Sequence, residues 1–139
     1  MRLMNEEIMK REIKELKINI LSNPNDINNY IHLISVMIKA IGKIFKYKPL
    51  EIQIIIFLFK DKDTGLIEEI LTGEGKAIII SFLAILKAFQ GKKVDILTSS
   101  SVLAEREAKE MKPFYNYFNL LVDYCDILEK LLEIHILKK

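Results

Sequence analysis

Residues 71–80 read LTGEGKAIII, two glycines and a lysine followed at once by an apolar run. A glycine-rich turn that opens a helix lets backbone N–H groups converge on phosphate, helped by the positive end of the helix. The lysine of such a loop reaches the terminal phosphates, and a hydroxyl on the next residue binds Mg²⁺. Gly73, Gly75 and Lys76 suit that chemistry, and Thr72 adds a hydroxyl beside them. The full pattern G-x-x-x-x-G-K-[ST] fails at two positions: Ile70 stands where the first glycine belongs, and Ala77 where the hydroxyl belongs. On GEGK alone, an ordinary tight turn and a phosphate site are equally good readings. The flanks favour the site, because LIEEI (66–70) reads as a short strand and Ala77 to Phe89 as an apolar helix that stops before Gly91.

Outward from this turn the chain alternates strands and helices. KVDIL (93–97) has the period of a strand, and TSSS (98–101) supplies N-cap residues for a helix through Glu110, with Glu105 near its first turn. A second helical piece follows Pro113, and LLVDY (120–124) reads as another strand. Strand, helix, strand, helix, strand implies an α/β fold with a parallel sheet and crossover helices, a P-loop NTPase-like partial domain. Upstream, residues 4–21 suit a charged amphipathic helix, and SNPND (22–26) breaks it. Ile27, Tyr30, Ile31, Ile34, Met37, Ile38, Ile41, Ile44 and Phe45 then form one apolar stripe at helical spacing. After KYKP (46–49), Leu50 to Phe59 reads as a buried helix and DKDTG (61–65) as a polar turn. CDILEKLLEIHILKK (125–139) reads as an amphipathic, basic-ended helix. The expected organisation is thus an N-terminal helical segment (1–48), a nucleotide-binding region (49–125) and a C-terminal helical tail (126–139).

Composition narrows the function classes. A chain of 139 residues suits one domain with a real core. A formal net charge of +2 leaves no electrostatic footprint for nucleic acid, so no nucleic-acid partner is expected. The 24 isoleucines and 18 lysines reflect an AT-rich gene more than a function, and the three arginines (Arg2, Arg11, Arg106) leave few guanidinium forks for phosphate recognition. Cys125 stands alone, which points to a reducing, cytoplasmic setting and reads as a small core residue. His32 and His135 lie far apart without partners at ligand spacing, so no metal site is expected from protein side chains alone. The longest apolar runs, IIIFLF (54–59) and AIIISFLAIL (77–86), fall short of the ~20 residues that span a bilayer, leaving at most peripheral membrane association.

KPLEIQ (48–53), TGEGK (72–76) and ILKAFQGKKVDILTSSSVLAEREAKEMKPFYNYFNLLV (85–122) occur in the order and approximate spacing of the SecA preprotein translocase ATPases. The stretch resembles the start of their DEAD-like nucleotide-binding domain, whose phosphate loop T-G-E-G-K-T also lacks the first glycine. DEAD-box helicases share the T-G-x-G-K loop and an upstream glutamine, but TSSSVLAEREA is closer to the SecA pattern than to P-T-R-E-L-A. The resemblance implies that Gln53 reads the adenine edge and that Gly73, Glu74, Gly75 and Lys76 hold the phosphates of ATP or ADP. It places Arg106 at the motif's arginine and Glu107 where an aspartate is usual. For these two residues, a structural pairing role competes with a nucleotide role.

Two departures temper the implied activity. Ala77 removes a protein ligand from Mg²⁺, which could take another water in poorer geometry. Beyond Leu121 nothing resembles the acidic motif such motors use, and the sequence ends where the resemblance implies a second lobe with an arginine finger. The expected function is therefore an ATP-binding fragment of a SecA-like motor, weak in binding and without turnover alone. Its expected partners are a translocase component or a longer relative, with self-association otherwise. The alternatives are a non-catalytic interaction fragment and a superfamily-two helicase fragment.

Overall fold

In the computed structural model, which describes residues 2–49, 75–127 and 131–138, the charged N-terminal segment forms helix α1 (Arg2–Ser22). It buries Ile13, Leu16 and Ile20 along one stripe and leaves Ile8 and Leu21 exposed. The break at SNPND doubles as a cap. Asp26 is extended and its carboxylate accepts from the Asn28 amide at 3.0 Å, which satisfies one of the amides a helix start leaves open. Helix α2 (Ile27–Phe45) follows, burying Leu33, Ile34, Val36, Met37, Ala40 and Ile41, and ends where Lys46 turns left-handed at φ 60°. Across the α1–α2 pair, the exposed His32 Nε2 lies 2.7 Å from Glu12 Oε1.

Helix α3 (Lys76–Phe89) is apolar on nearly every side, and Ile78, Ile79, Phe82, Ile85, Leu86 and Phe89 are buried. A helix apolar all round belongs in the middle of a domain. It ends at Gly91 as its sequence predicts: Gly91 adopts φ 84°, and the Lys92 amide reaches back to Lys87 O at 3.0 Å. A Cβ at Gly91 would lie 3.3 Å from Leu21 Cδ2, so the stop also sets how closely α1 passes.

Strand β1 (Val94–Thr98), helix α4 (Ser101–Tyr117) and strand β2 (Leu120–Ile127) then form a crossover unit, and strand β3 (Leu131–Lys138) returns. Ser100 caps α4 by accepting from the Leu103 amide at 3.2 Å. One cluster unites the four helices of the described residues with Leu120 and Val122 of β2, and Val94 and Ile96 pack against it. At its centre Phe82, Phe89, Phe114 and Phe118 meet ring to ring, with centroids 5.3 to 6.0 Å apart.

Three expectations need correction. The sheet is not parallel among the described strands: its order is β1-β3-β2, and β3 pairs antiparallel with both neighbours. β1 and β2 do run in the same direction, joined by α4, but β3 occupies the slot between them. A connection of three residues from β2 to β3 permits only a hairpin-like return, whereas a parallel neighbour needs a long crossover. For the same reason the C-terminal helical tail is absent. LLEIHILK has the period of a strand as well as an amphipathic look, and its register sets Ile136 opposite both Val94 and Val122. Finally, α4 does not end at Glu110 but runs through Pro113 to Tyr117. Proline costs a helix one hydrogen bond and crowds the preceding turn. Here Ala104, Ala108 and Met111 before it and Phe114 and Phe118 after it are all buried on one cluster, which holds both halves in line. The expected buried helix at 50–59, the polar turn at 61–65 and the strand at 66–70 lie outside the described residues.

Candidate functional site

Of the residues expected to hold nucleotide, Gly75, Lys76 and Ala77 open α3, while Gln53, Thr72, Gly73 and Glu74 lie outside the described residues. Gly75 occupies the N-cap in the left-handed region, φ 68° and ψ 47°, a conformation that costs an L side chain about 1–2 kcal/mol. No side chain caps this helix and its first turn carries no acidic residue. The Ile78 amide closes on Gly75 O at 3.0 Å, but the amides of Lys76 and Ala77 have no acceptor among the described residues. Those two donors, the helix dipole and the exposed Lys76 ammonium make one end of α3 electropositive. The arrangement offers a phosphate two backbone donors and a cation.

Beside this helix start lies a narrow crevice between three elements, lined by Ala77, Ser81, Ile96, Glu107, Met111 and Tyr115 among others. Ala77 is therefore part of its wall, and Glu107 of α4 shares the same crevice. Arg106, one residue earlier, points elsewhere. It is exposed and its Nε lies 3.9 Å from Glu110 Oε1 on its own helix, the structural pairing that competed with a nucleotide role. Glu105 likewise engages Lys109 and Tyr124 rather than the start of α4.

A polar contact absent from the sequence expectations lies behind the crevice. Tyr115, only 2% exposed, donates its hydroxyl to Ser81 Oγ at 3.0 Å, and Ser81 Oγ donates to Ala77 O at 2.7 Å. Burial pushes the Tyr115 hydroxyl up to about 12. The Ser81 bond opposes that rise, and the Glu107 charge adds to it. The phenol thus keeps its proton at any physiological pH. One signal was legible: Ser81 interrupts an otherwise apolar run and sits four residues from Ala77, on the same helix face.

Comparison with known proteins gives a consistent family. The profile of the SecA DEAD-like domain matches residues 1–130, which takes in α1 and α2 as well as the glycine turn. The protein translocase subunit SecA of Campylobacter concisus is 28% identical over 121 residues, 86% of this chain and 14% of that relative. The SecA subunit of Thermosipho africanus is 29% identical over 123 residues, 88% of this chain and 14% of the relative. The chain thus spans about one seventh of the length of the curated relatives it matches. No solved structure matches it.

Proposed function

Since the chain belongs to the SecA DEAD-like domain family, we propose that its glycine turn binds the phosphates of ATP or ADP as the nucleotide-holding part of a protein-translocase motor. One observation carries this reading: Lys76 stands at the first position of an uncapped helix whose leading amides have no acceptor among the described residues. In this proposal Gly73, Glu74, Gly75 and Lys76 hold the phosphates, Thr72 adds a hydroxyl, and Gln53 selects adenine. When present, Mg²⁺ would offset phosphate charge. The chain's own contribution there is reduced, because Ala77 presents a methyl group to the crevice it shares with Glu107.

A titration with a fluorescent ATP analogue, with and without Mg²⁺, tests the reading. The wild-type chain is expected to bind in both conditions with little dependence on the metal, and to show no hydrolysis when these 139 residues are assayed alone. Ala77→Thr is expected to tighten Mg·ATP binding several-fold while leaving metal-free ATP nearly unchanged, since the new oxygen contacts Mg²⁺ and not phosphate. An identical gain with and without metal would show that position 77 never faces a metal. Robust turnover by the wild-type chain would reveal a catalytic carboxylate that the sequence reading overlooked.

The proposed partner is the remainder of a translocase motor or a second chain, acting in the cytoplasm or at a membrane surface. No helix among the described residues is long and apolar enough to cross a membrane. Exposed Leu97 on β1 and Leu121 on β2, with Val102 at 72% exposure near the start of α4, give such a partner apolar surface to cover. Sedimentation is expected to show self-association that grows with concentration. A monodisperse monomer at high concentration would count against a required partner.

A further inference from the structure

We propose that Tyr115 and Ser81 are positioning residues for the start of α3, fixing Gly75 and Lys76 through Ala77 so that movement of α4 changes phosphate affinity. This inference rests on the nucleotide reading above and adds to it a means of regulation.

The bonding sequence has one direction. A backbone carbonyl only accepts, so Ser81 must spend its single proton on Ala77 O, 2.7 Å away. Its oxygen is then free only to accept, and Tyr115 must be the donor across the 3.0 Å contact. The phenol's retained proton keeps that donor in place. Ala77 O belongs to the same peptide group as the Ile78 amide, which donates to Gly75 O at 3.0 Å. Four groups therefore connect α4 to the left-handed glycine next to Lys76: the phenol, the serine hydroxyl, the Ala77–Ile78 peptide and the Gly75 carbonyl. Each bond polarises the next in a chain of this kind.

Burial makes the link specific rather than incidental. Ser81 is the one buried polar residue among the described residues, and Tyr115 sits beside Phe114 where a phenylalanine would serve packing equally well. A buried hydroxyl is costly unless it is bonded, so Tyr115 needs Ser81 as its acceptor, whereas Ser81 is already satisfied by Ala77 O. Ser81 and Tyr115 lie 34 residues apart, on the helix that opens at the turn and on the helix that carries the LAEREA segment. A shift of α4 along α3 breaks the phenol–serine bond first. Ser81 then holds Ala77 O without support from α4.

The test compares Tyr115→Phe, Ser81→Ala, the double variant and Ser81→Thr in the full 139-residue chain. Two readouts are used: amide hydrogen exchange at Ile78 and Ile79, whose amides donate to Gly75 O, and affinity for ATP and for inorganic pyrophosphate. Tyr115→Phe and Ser81→Ala are each expected to speed exchange at these amides and weaken both ligands about fivefold. The double variant should be no worse than either single one, because the residues act as one unit. Ser81→Thr, which keeps the hydroxyl, should restore most of both signals. Leu33→Val in α2 supplies a comparable loss of global stability away from the turn and should leave affinity unchanged. Unchanged exchange in Tyr115→Phe overturns the proposal whatever the ligands do. Faster exchange without weaker binding overturns the regulatory link. A wild-type chain that binds neither ligand overturns the nucleotide reading and the regulation built on it, and exchange alone then reports whether the hydroxyls hold the turn.

Discussion

Replacing Lys76 with alanine is expected to lower the affinity of the chain for ATP and ADP by roughly 10- to 100-fold while leaving its unfolding midpoint unmoved. The size follows from the loss of a charge-assisted contact, about 1.5–3 kcal/mol, at about 1.4 kcal/mol per factor of ten. No other cation on α3 substitutes for it. Lys87, the second lysine of that helix, lies in its last turn, roughly 16 Å further along at 1.5 Å per residue. The fold should tolerate the change, since Lys76 is exposed and substitution at such a surface position is usually worth less than about 0.5 kcal/mol. Removing the ammonium also leaves the two leading amides and the helix dipole, so residual binding at high ligand concentration is consistent with the site. Titration of parent and variant with the same fluorescent analogue, beside their denaturation curves, checks both halves of the expectation. Equal affinities would reduce the glycine turn to a structural bend.

How much of this was legible in the sequence depended on the range of the interaction involved. The Gly91 stop, the Ser100 cap and the β1 alternation are local, and the structure places them where periodicity and capping chemistry do. The α2 stripe, by contrast, is rotated: Ile27 and Ile31 are exposed, and Leu33, Val36 and Ala40 are buried beside Ile34, Met37 and Ile41. The β1–α4–β2 unit was read correctly as a crossover, but its strands are not neighbours, because strand order is decided by what returns between them. LLEIHILK satisfies a helical and an extended pattern at once, and only its pairing with Val94, Ile96 and Val122 settles which one forms. Pro113 misled in the opposite direction. A local rule ended the helix there, and the buried faces on either side overrode it. The candidate site divides in the same way. The lysine and glycines announce themselves in five consecutive positions, whereas the Tyr115–Ser81–Ala77 contact needs two helices to be packed before it exists. Its one local trace was a serine in an apolar run.

The same packing predicts the largest loss of stability. Phe114 has no exposed surface and touches three other rings: Phe82 at 5.8 Å, Phe118 at 5.3 Å and Tyr115 at 6.4 Å between centroids. It therefore joins α3 to α4 at the height of the aromatic cluster, immediately after the proline that weakens α4 from within. Phe114→Ala removes the transfer energy of the ring and leaves a cavity that rigid neighbours fill only in part, a cost of about 3–5 kcal/mol. A domain of this kind has only about 5–15 kcal/mol to lose, so the variant is expected to sit near its unfolding transition at room temperature. Phe114→Leu keeps most of the volume and should cost less than half as much. Because Tyr115 is the next residue, the alanine variant should also loosen the glycine turn, with nucleotide affinity falling before the helical signal does. Chemical denaturation monitored by circular dichroism, run with and without ATP, measures both effects. A loss below about 1 kcal/mol would mean that α4 is held by its contacts with β2 and not by this cluster. A proline-relieved variant, Pro113→Ala, should then rescue nothing in the Phe114→Ala background, whereas recovery of part of the loss would show that the two halves of α4 depend on the phenylalanine to stay in line.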